Sequence, residues 1–514
     1  MKFFPYVVAA ATCLPATFLQ AEVTLDGRTA TPEIIAAIAQ GESVKIAPEA
    51  MKTAENAFKV LCKAAGEGQI IYGLTVGVGL NKDRKYVDAK GDLTQEIIDA
   101  SSKFQIGLIR AHSGSVGPDM DIRTARATMA ARLNMMLVGG AAVQIPVLEA
   151  YVSFLNKGLT PCMPSGGSMG EADITICSHV GQAMIGEGEV YYKGKKIPAA
   201  EGLKAIGMKP VKLFGKDALA ILSSNAYSTG LGALALNDMA QLQRVNTATF
   251  VLSIQALNGN VSPFLQDTLA LHPFPETVKA GTEIRRMLDG SSIWDRDDNR
   301  RLQDPLSFRD SVFTIGEVNR AYETARFLFN IQLNSSDDNP GVAVGVTPKS
   351  DRWQEKRSYV TTEGGGGAVL PSANFEPLPW VIAFEQLGIA LAQFHHLRPA
   401  HHQAGQPRFH RRARALPRHG QFLPRLRRHG EASRRTGHGK QGPGHPGFHR
   451  VPARGRPGRR RGHQRPLRRP APPEADRQQL LPAGHRSDPR RPGRRSSPCQ
   501  DSWLQAFPGR AEAL

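Results

Sequence analysis

Four short segments gather the residues of this 514-residue chain that could do chemistry. The first is Gly-rich and carries a phenol, Ile71-Tyr72-Gly73-Leu74-Thr75-Val76-Gly77-Val78-Gly79. The second is Ala111-His112-Ser113-Gly114. The third runs from Pro161 to Asp173 as PCMPSGGSMGEAD and is closed by Gly186-Glu187-Gly188-Glu189. The fourth is Asn334-Ser335-Ser336-Asp337-Asp338-Asn339-Pro340, preceded by Gln303-Asp304 and Arg309. Together they offer a phenol, an imidazole, carboxylates at Glu171 and Asp173, and a guanidinium. A phenol serves as a base only where its site lowers a pKa of about 10. A guanidinium can grip a carboxylate through two parallel hydrogen bonds. The first segment also hints at a phosphate loop, but the Gly-Lys-Ser/Thr ending is missing. Cys13, Cys62, Cys162, Cys177 and Cys499 form no CxxC pair and no disulfide framework, so no metal site is expected and the internal ones read as buried thiols.

In this order the four segments resemble the histidine and phenylalanine ammonia-lyase family, over roughly residues 30 to 394. The resemblance implies β-elimination of an amino group from an aromatic or imidazole α-amino acid. That chemistry needs a base for a poorly acidic β-proton, a cation for the substrate carboxylate, and an electrophile that makes the amine a good leaving group. It puts Tyr72 in the place of the base and Arg309 in that of the carboxylate clamp. His112 falls near the substrate ring and Phe375, in Ser-Ala-Asn-Phe, at a pocket-lining position. Each has a plainer alternative: a packed loop aromatic for Tyr72, a structural Arg309, a capping His112, an ordinary buried Phe375. The glycines around Tyr72 would let its loop move and approach a substrate closely. The family's fold is an all-helical bundle forming homotetramers with sites shared between subunits.

Three positions depart from the family pattern. Its electrophile, a methylidene-imidazolone, is made by cyclisation of an Ala-Ser-Gly triad. Here Gly167-Ser168-Met169-Gly170 runs into Glu171-Ala172-Asp173-Ile174, one residue shorter and without the triad, so no cofactor is expected. Pro164-Ser165-Gly166 is an X-Ser-Gly sequence lying several residues too early. The family's asparagine aligns with Ser223, with Asn225 two residues on as a substitute, and its second tyrosine aligns with Leu306. Together these departures point to altered chemistry. A cofactor-independent lyase would release a quaternary amine from a betaine, with Tyr72 as base and Glu171 and Asp173 near the cationic leaving group. A non-catalytic binding protein and a broken gene product are the further alternatives.

The elements that must position these residues read as mainly α, a long-helix bundle of the ammonia-lyase and fumarase type with a small mixed N-terminal part. Thr31-Pro32-Glu33 is a capped helix start. Ile122 to Val138, Lys216 to Leu257, Glu317 to Leu333 and Phe375 to Phe394 are long apolar helical stretches, suited to a bundle core. Glu385 argues against a membrane span for the last of them. Val190 to Lys196 is a hairpin. Residues 1–21, with Lys2 ahead of the apolar Phe3–Phe18 run, read as an export signal, so the expected location is the periplasm. The net charge of +19 comes from one end. Of 65 Lys and Arg, 28 lie from His396 onward, with only 6 of the 46 acidic residues; the preceding 37 basic and 40 acidic residues leave the body near neutral. That balance argues against a nucleic-acid partner. Residues 395–514, rich in Arg, Pro, Gly and His, read as GC-rich DNA translated out of frame and are expected to be disordered. The domain reading is therefore 1–21 signal, 22–394 lyase-like domain, 395–514 tail.

Overall fold

The structure is a computed structural model that describes residues 22–88, 91 and 94–394. The expected signal and tail lie outside the described residues. Fifteen helices are described: α1 Pro32–Gln40, α2 Pro48–Gly66, α3 Gln95–His112, α4 Ile122–Leu137, α5 Ile145–Lys157, α6 Ile174–Met184, α7 Ala199–Ala205, α8 Asp217–Leu222, α9 Ala226–Ala256, α10 Gln266–Ala270, α11 Pro275–Met287, α12 Leu306–Arg309, α13 Ser311–Leu333, α14 Trp353–Lys356 and α15 Leu378–Ala392. The ten short strands make four small sheets. β1 Val23–Leu25 pairs in parallel with β2 Val44–Ile46, and β3 Val116–Asp119 runs antiparallel to β5 Pro164–Gly166. β6 Glu189–Tyr192 lies between β4 Thr160–Pro161 and β7 Lys195–Pro198, the expected hairpin. β10 Gly365–Leu370 lies between β8 Gly341–Val344 and β9 Tyr359–Thr362. The fold is thus mainly α, as expected.

The central helix is α4, buried from Thr124 to Leu137. Such a helix must satisfy any polar side chain it carries. Arg126 does so by donating to the Ile38 carbonyl at 2.7 Å and the Leu155 carbonyl at 2.8 Å, near the C-terminal ends of α1 and α5. Carbonyls in the last turn carry the negative end of the helix dipole, so a guanidinium suits them. Alongside runs α9, brought close by Gly230: a Cβ there would lie 2.6 Å from the Thr128 nitrogen. Thr31 caps α1, its hydroxyl accepting the Ile34 N–H.

Two expectations need correction. The Lys216–Leu257 stretch is not one helix; it breaks at Ser223-Ser224-Asn225 between α8 and α9. Ser and Asn compete for backbone partners, and here Asn225 finds tertiary ones that continuous helix would forbid. The last stretch is not wholly core. α15 packs Trp380, Ala383, Leu387 and Ala390 inward, while Ile382, Glu385 and Ile389 face outward. The apolar side chains alternate around α15 rather than lining one face, so α13 covers only part of them.

Candidate active site

Tyr72 sits in a folded loop where its phenolic oxygen accepts the Gly79 N–H at 2.9 Å. The loop is pinned rather than loose. Gln105 of α3 donates to the Gly73 carbonyl at 3.0 Å, and a Cβ at Gly77 would lie 2.5 Å from the Asn81 carbonyl oxygen. Gly73 and Gly77 therefore serve the expected close approach of backbone to neighbours.

The segment from Ser168 to Asp173 is a tight loop entering α6. Asp173 is buried and organises it. Its carboxylate accepts the Ser168 hydroxyl at 2.8 Å, the Ser228 N–H at 2.8 Å and the Ser228 hydroxyl at 3.0 Å. Burial pushes its pKa up, opposed by those donors. Gly170 and Ala172 both have positive φ, +92° and +80°, leaving Met169 and Glu171 exposed between Ser168 and Asp173. An Ala with φ of +80° is uncommon and needs outside support. Asn225 supplies it: its side-chain oxygen accepts the Ala172 N–H at 2.9 Å. The same amide donates to the Phe375 carbonyl at 2.5 Å.

Beneath this lies a buried ion network that reading the sequence for site residues missed. Arg132 of α4 is 1 % exposed and bonds Asp337 at 3.0 Å and Asp338 at 2.8 Å. Lys216 lies 3.6 Å from Asp338 and donates to the Ala141 carbonyl at 2.6 Å. Asp337 also accepts the Asn225 N–H at 2.5 Å. Burial raises the pKa of Asp337, countered in part by Arg132, while Arg132 and Lys216 hold Asp338 low against its own burial. The visible clue was the adjacent pair Asp337-Asp338 in an otherwise polar motif; nothing local named Arg132 as its partner.

The structure thus joins Asn225, Phe375 and the loop carrying Glu171. His112 ends α3 with its Nδ1 on the Leu108 carbonyl at 2.8 Å, a capping arrangement, and its own carbonyl accepts the Ser178 hydroxyl of α6. Arg309 stands elsewhere, in α12, with its Nε–H donated to the Asp304 carbonyl at 3.0 Å. Among the described residues, no recorded hydrogen bond joins Arg309 or Tyr72 to the 168–173 loop. No group of His, Cys, Asp or Glu among them is arranged to hold a metal.

Residues 30–403 match the family model for aromatic amino acid lyases. The histidine ammonia-lyase of Chloroflexus aurantiacus is 31% identical over 377 residues, covering 72% of this chain and 67% of the relative. That of Streptococcus sanguinis is 29% identical over 373 residues, covering 72% and 67%. Among solved structures, the ergothioneine-degrading ergothionase of Treponema denticola is 31% identical with a TM-score of 0.63, covering 74% of this chain and 70% of that one. Histidine ammonia-lyase from Trypanosoma cruzi shares the fold at 22% identity and a TM-score of 0.63, covering 76% and 69%. The chain belongs to the aromatic amino acid lyase family.

Proposed function

We propose that this protein is a carbon–nitrogen lyase that eliminates an amino group from an aromatic or imidazole α-amino acid. The observation that carries the reading is the convergence of three segments distant in sequence, the 168–173 loop, Asn225 and Phe375, in one hydrogen-bonded cluster within the family's fold. In this reading Tyr72, having given its own proton to solvent, takes the β-proton as the phenolate, its oxygen accepting the Gly79 N–H. Arg309 holds the substrate carboxylate with the two guanidinium nitrogens that its Asp304 bond leaves open. The electrons of the broken β C–H bond form the C=C, and those of the C–N bond leave with the amine.

One observation favours a second reading, elimination without the chain-derived imidazolone. Cyclisation requires a backbone nitrogen to attack the carbonyl two residues back, hence a tight turn around a serine. Pro164-Ser165-Gly166 is instead extended in β5 and paired to β3. Ser168 donates its hydroxyl to Asp173 and is followed by Met169, whose side chain hinders attack by its nitrogen. The residues present do not fit the group. A quaternary amine leaves without electrophilic help, with Glu171 and Asp173 supplying negative charge nearby. Ergothioneine, which the Treponema relative degrades, is itself a betaine of an imidazole amino acid.

Both readings are separated by one assay. The purified chain is offered histidine, phenylalanine, tyrosine and the trimethyl betaine of histidine, with the conjugated acid followed by absorbance and the amine identified. Trimethylamine from the betaine alone supports the second reading; ammonia from an amino acid sinks it and supports an imidazolone-type lyase. Neither amine, with ligand binding retained and unchanged in Tyr72→Phe, would mark a binding protein. The homotetramer carried by the resemblance gains support from apolar side chains left exposed on α9, α13 and α15, among them Val245, Leu252, Phe327 and Ile389. Periplasmic location rests on the Lys2–Phe18 pattern and is checked by the N-terminus of the secreted chain.

A further inference from the structure

The network of Arg132, Asp337, Asp338 and Lys216 takes no part in the proton or carboxylate chemistry proposed above, yet one of its bonds ends on the site. Arg132 is fixed from three sides: it donates to the Ala220 carbonyl of α8 at 2.9 Å and to Asp337 and Asp338 of the 334–340 segment. Asp337 then spends its second oxygen on the Asn225 N–H. Asn225 in turn spends its whole side chain on the Ala172 N–H and the Phe375 carbonyl. Ser372, three residues before Phe375, donates to the Asp338 carbonyl at 2.7 Å and returns the chain of bonds to its start. At the far end stands Ala172 in a left-handed conformation that an alanine does not hold unaided.

The geometry points to Arg132 and Asp337 as positioning residues, which through Asn225 fix the 168–173 loop and the Phe375 segment in a single arrangement. The inference rests on the lyase reading only in calling that cluster a site. A buried ion pair is a poor source of net stability but a strong source of a unique geometry when every member is satisfied. Here the members are satisfied, and they lie on α4, α8 and the 334–340 loop, three rigid anchors for one backbone N–H.

The test is hydrogen–deuterium exchange of the full chain, read on peptides spanning 167–173, for Asn225→Ala, Asp337→Asn and the double variant. Each single substitution is expected to speed exchange in that segment about tenfold, Asn225→Ala by removing the side-chain acceptor of the Ala172 N–H and Asp337→Asn by removing the charged acceptor of the Asn225 N–H, while peptides from α4 and α13 keep their protection. The double variant should exchange no faster than the faster single one, because both cut the same chain of bonds. Additive effects would overturn the proposal, as would an unchanged segment in Asn225→Ala or uniform acceleration across the protein. Should Asp337→Asn not fold, Arg132→Lys, which keeps the charge but loses the grip on two carboxylates, takes its place. In turnover, with rates taken per folded molecule, Asp337→Asn should still lower kcat; a fall that disappears on that normalisation would make Asp337 merely structural and overturn the proposal. Exchange needs no turnover, so failure of the lyase reading and failure of this one are distinguishable.

Discussion

Removing one oxygen, in Tyr72→Phe, separates catalysis from structure most cleanly. The recorded bond of that oxygen is the one accepted from Gly79, at an exposed position where water can replace it. The ring itself packs partly buried against the main core and is retained in Phe. Loss of stability should therefore sit at the low end of the usual range for a hydrogen bond, about 0.5 kcal/mol. Loss of a general base instead costs about 10²–10⁴-fold in rate, or about 3–5 kcal/mol in the barrier. The two effects differ by several-fold in energy, so they cannot be confused. The assay is kcat/KM for the conjugated acid on the substrate identified above, beside thermal unfolding of the same samples. A variant within about threefold of the parent would refute Tyr72 as base. A loss of activity that only followed a loss of folded protein would refute the separation.

Other expectations concern stability. Arg132→Met leaves two buried carboxylates with Lys216 alone and should cost about 3–5 kcal/mol in denaturant unfolding; a loss under about 1 kcal/mol would contradict the network as described. Gly230→Ala drives a Cβ into the backbone of Ala127 and Thr128, which cannot yield, and should cost about 1–3 kcal/mol. Gly107→Ala, in α3 with nothing within 4 Å of the added carbon, should instead stabilise by about 0.4–1 kcal/mol. Asp217 is fully buried, and burial holds its pKa up at about 6, against 3.8 when unperturbed. The folded chain thus takes up this proton more readily than the unfolded one. The stability it contributes is full below 3.8 and lost as pH rises through about 6, some 3 kcal/mol in all. Asp217→Asn should flatten the fall in unfolding free energy between about pH 4 and about pH 6; an unchanged slope would exclude Asp217 as its source.

Much of the architecture was legible in residue order. Apolar stretches of helical length announced α4, α9, α13 and α15, Thr31-Pro32 announced a helix start, and Val190 to Lys196 a hairpin, because periodicity and capping are local properties. The four motifs in their order marked the family, although overall identity is near 31% and three positions depart from its pattern. Local pattern could not show that Ser223-Ser224-Asn225 ends one helix and starts another. Alanine and leucine on both sides favour helix, and the break is stabilised by Asp337, 112 residues away. Nor could it show that Arg132, an unremarkable residue of an apolar helix, meets Asp337 and Asp338 more than 200 residues on. Residue types and spacing were enough to determine the mainly helical class and the family. The ion network and the hold of Asn225 on the 168–173 loop were decided only by tertiary packing, because a buried charge must find its partner wherever the fold brings one within reach.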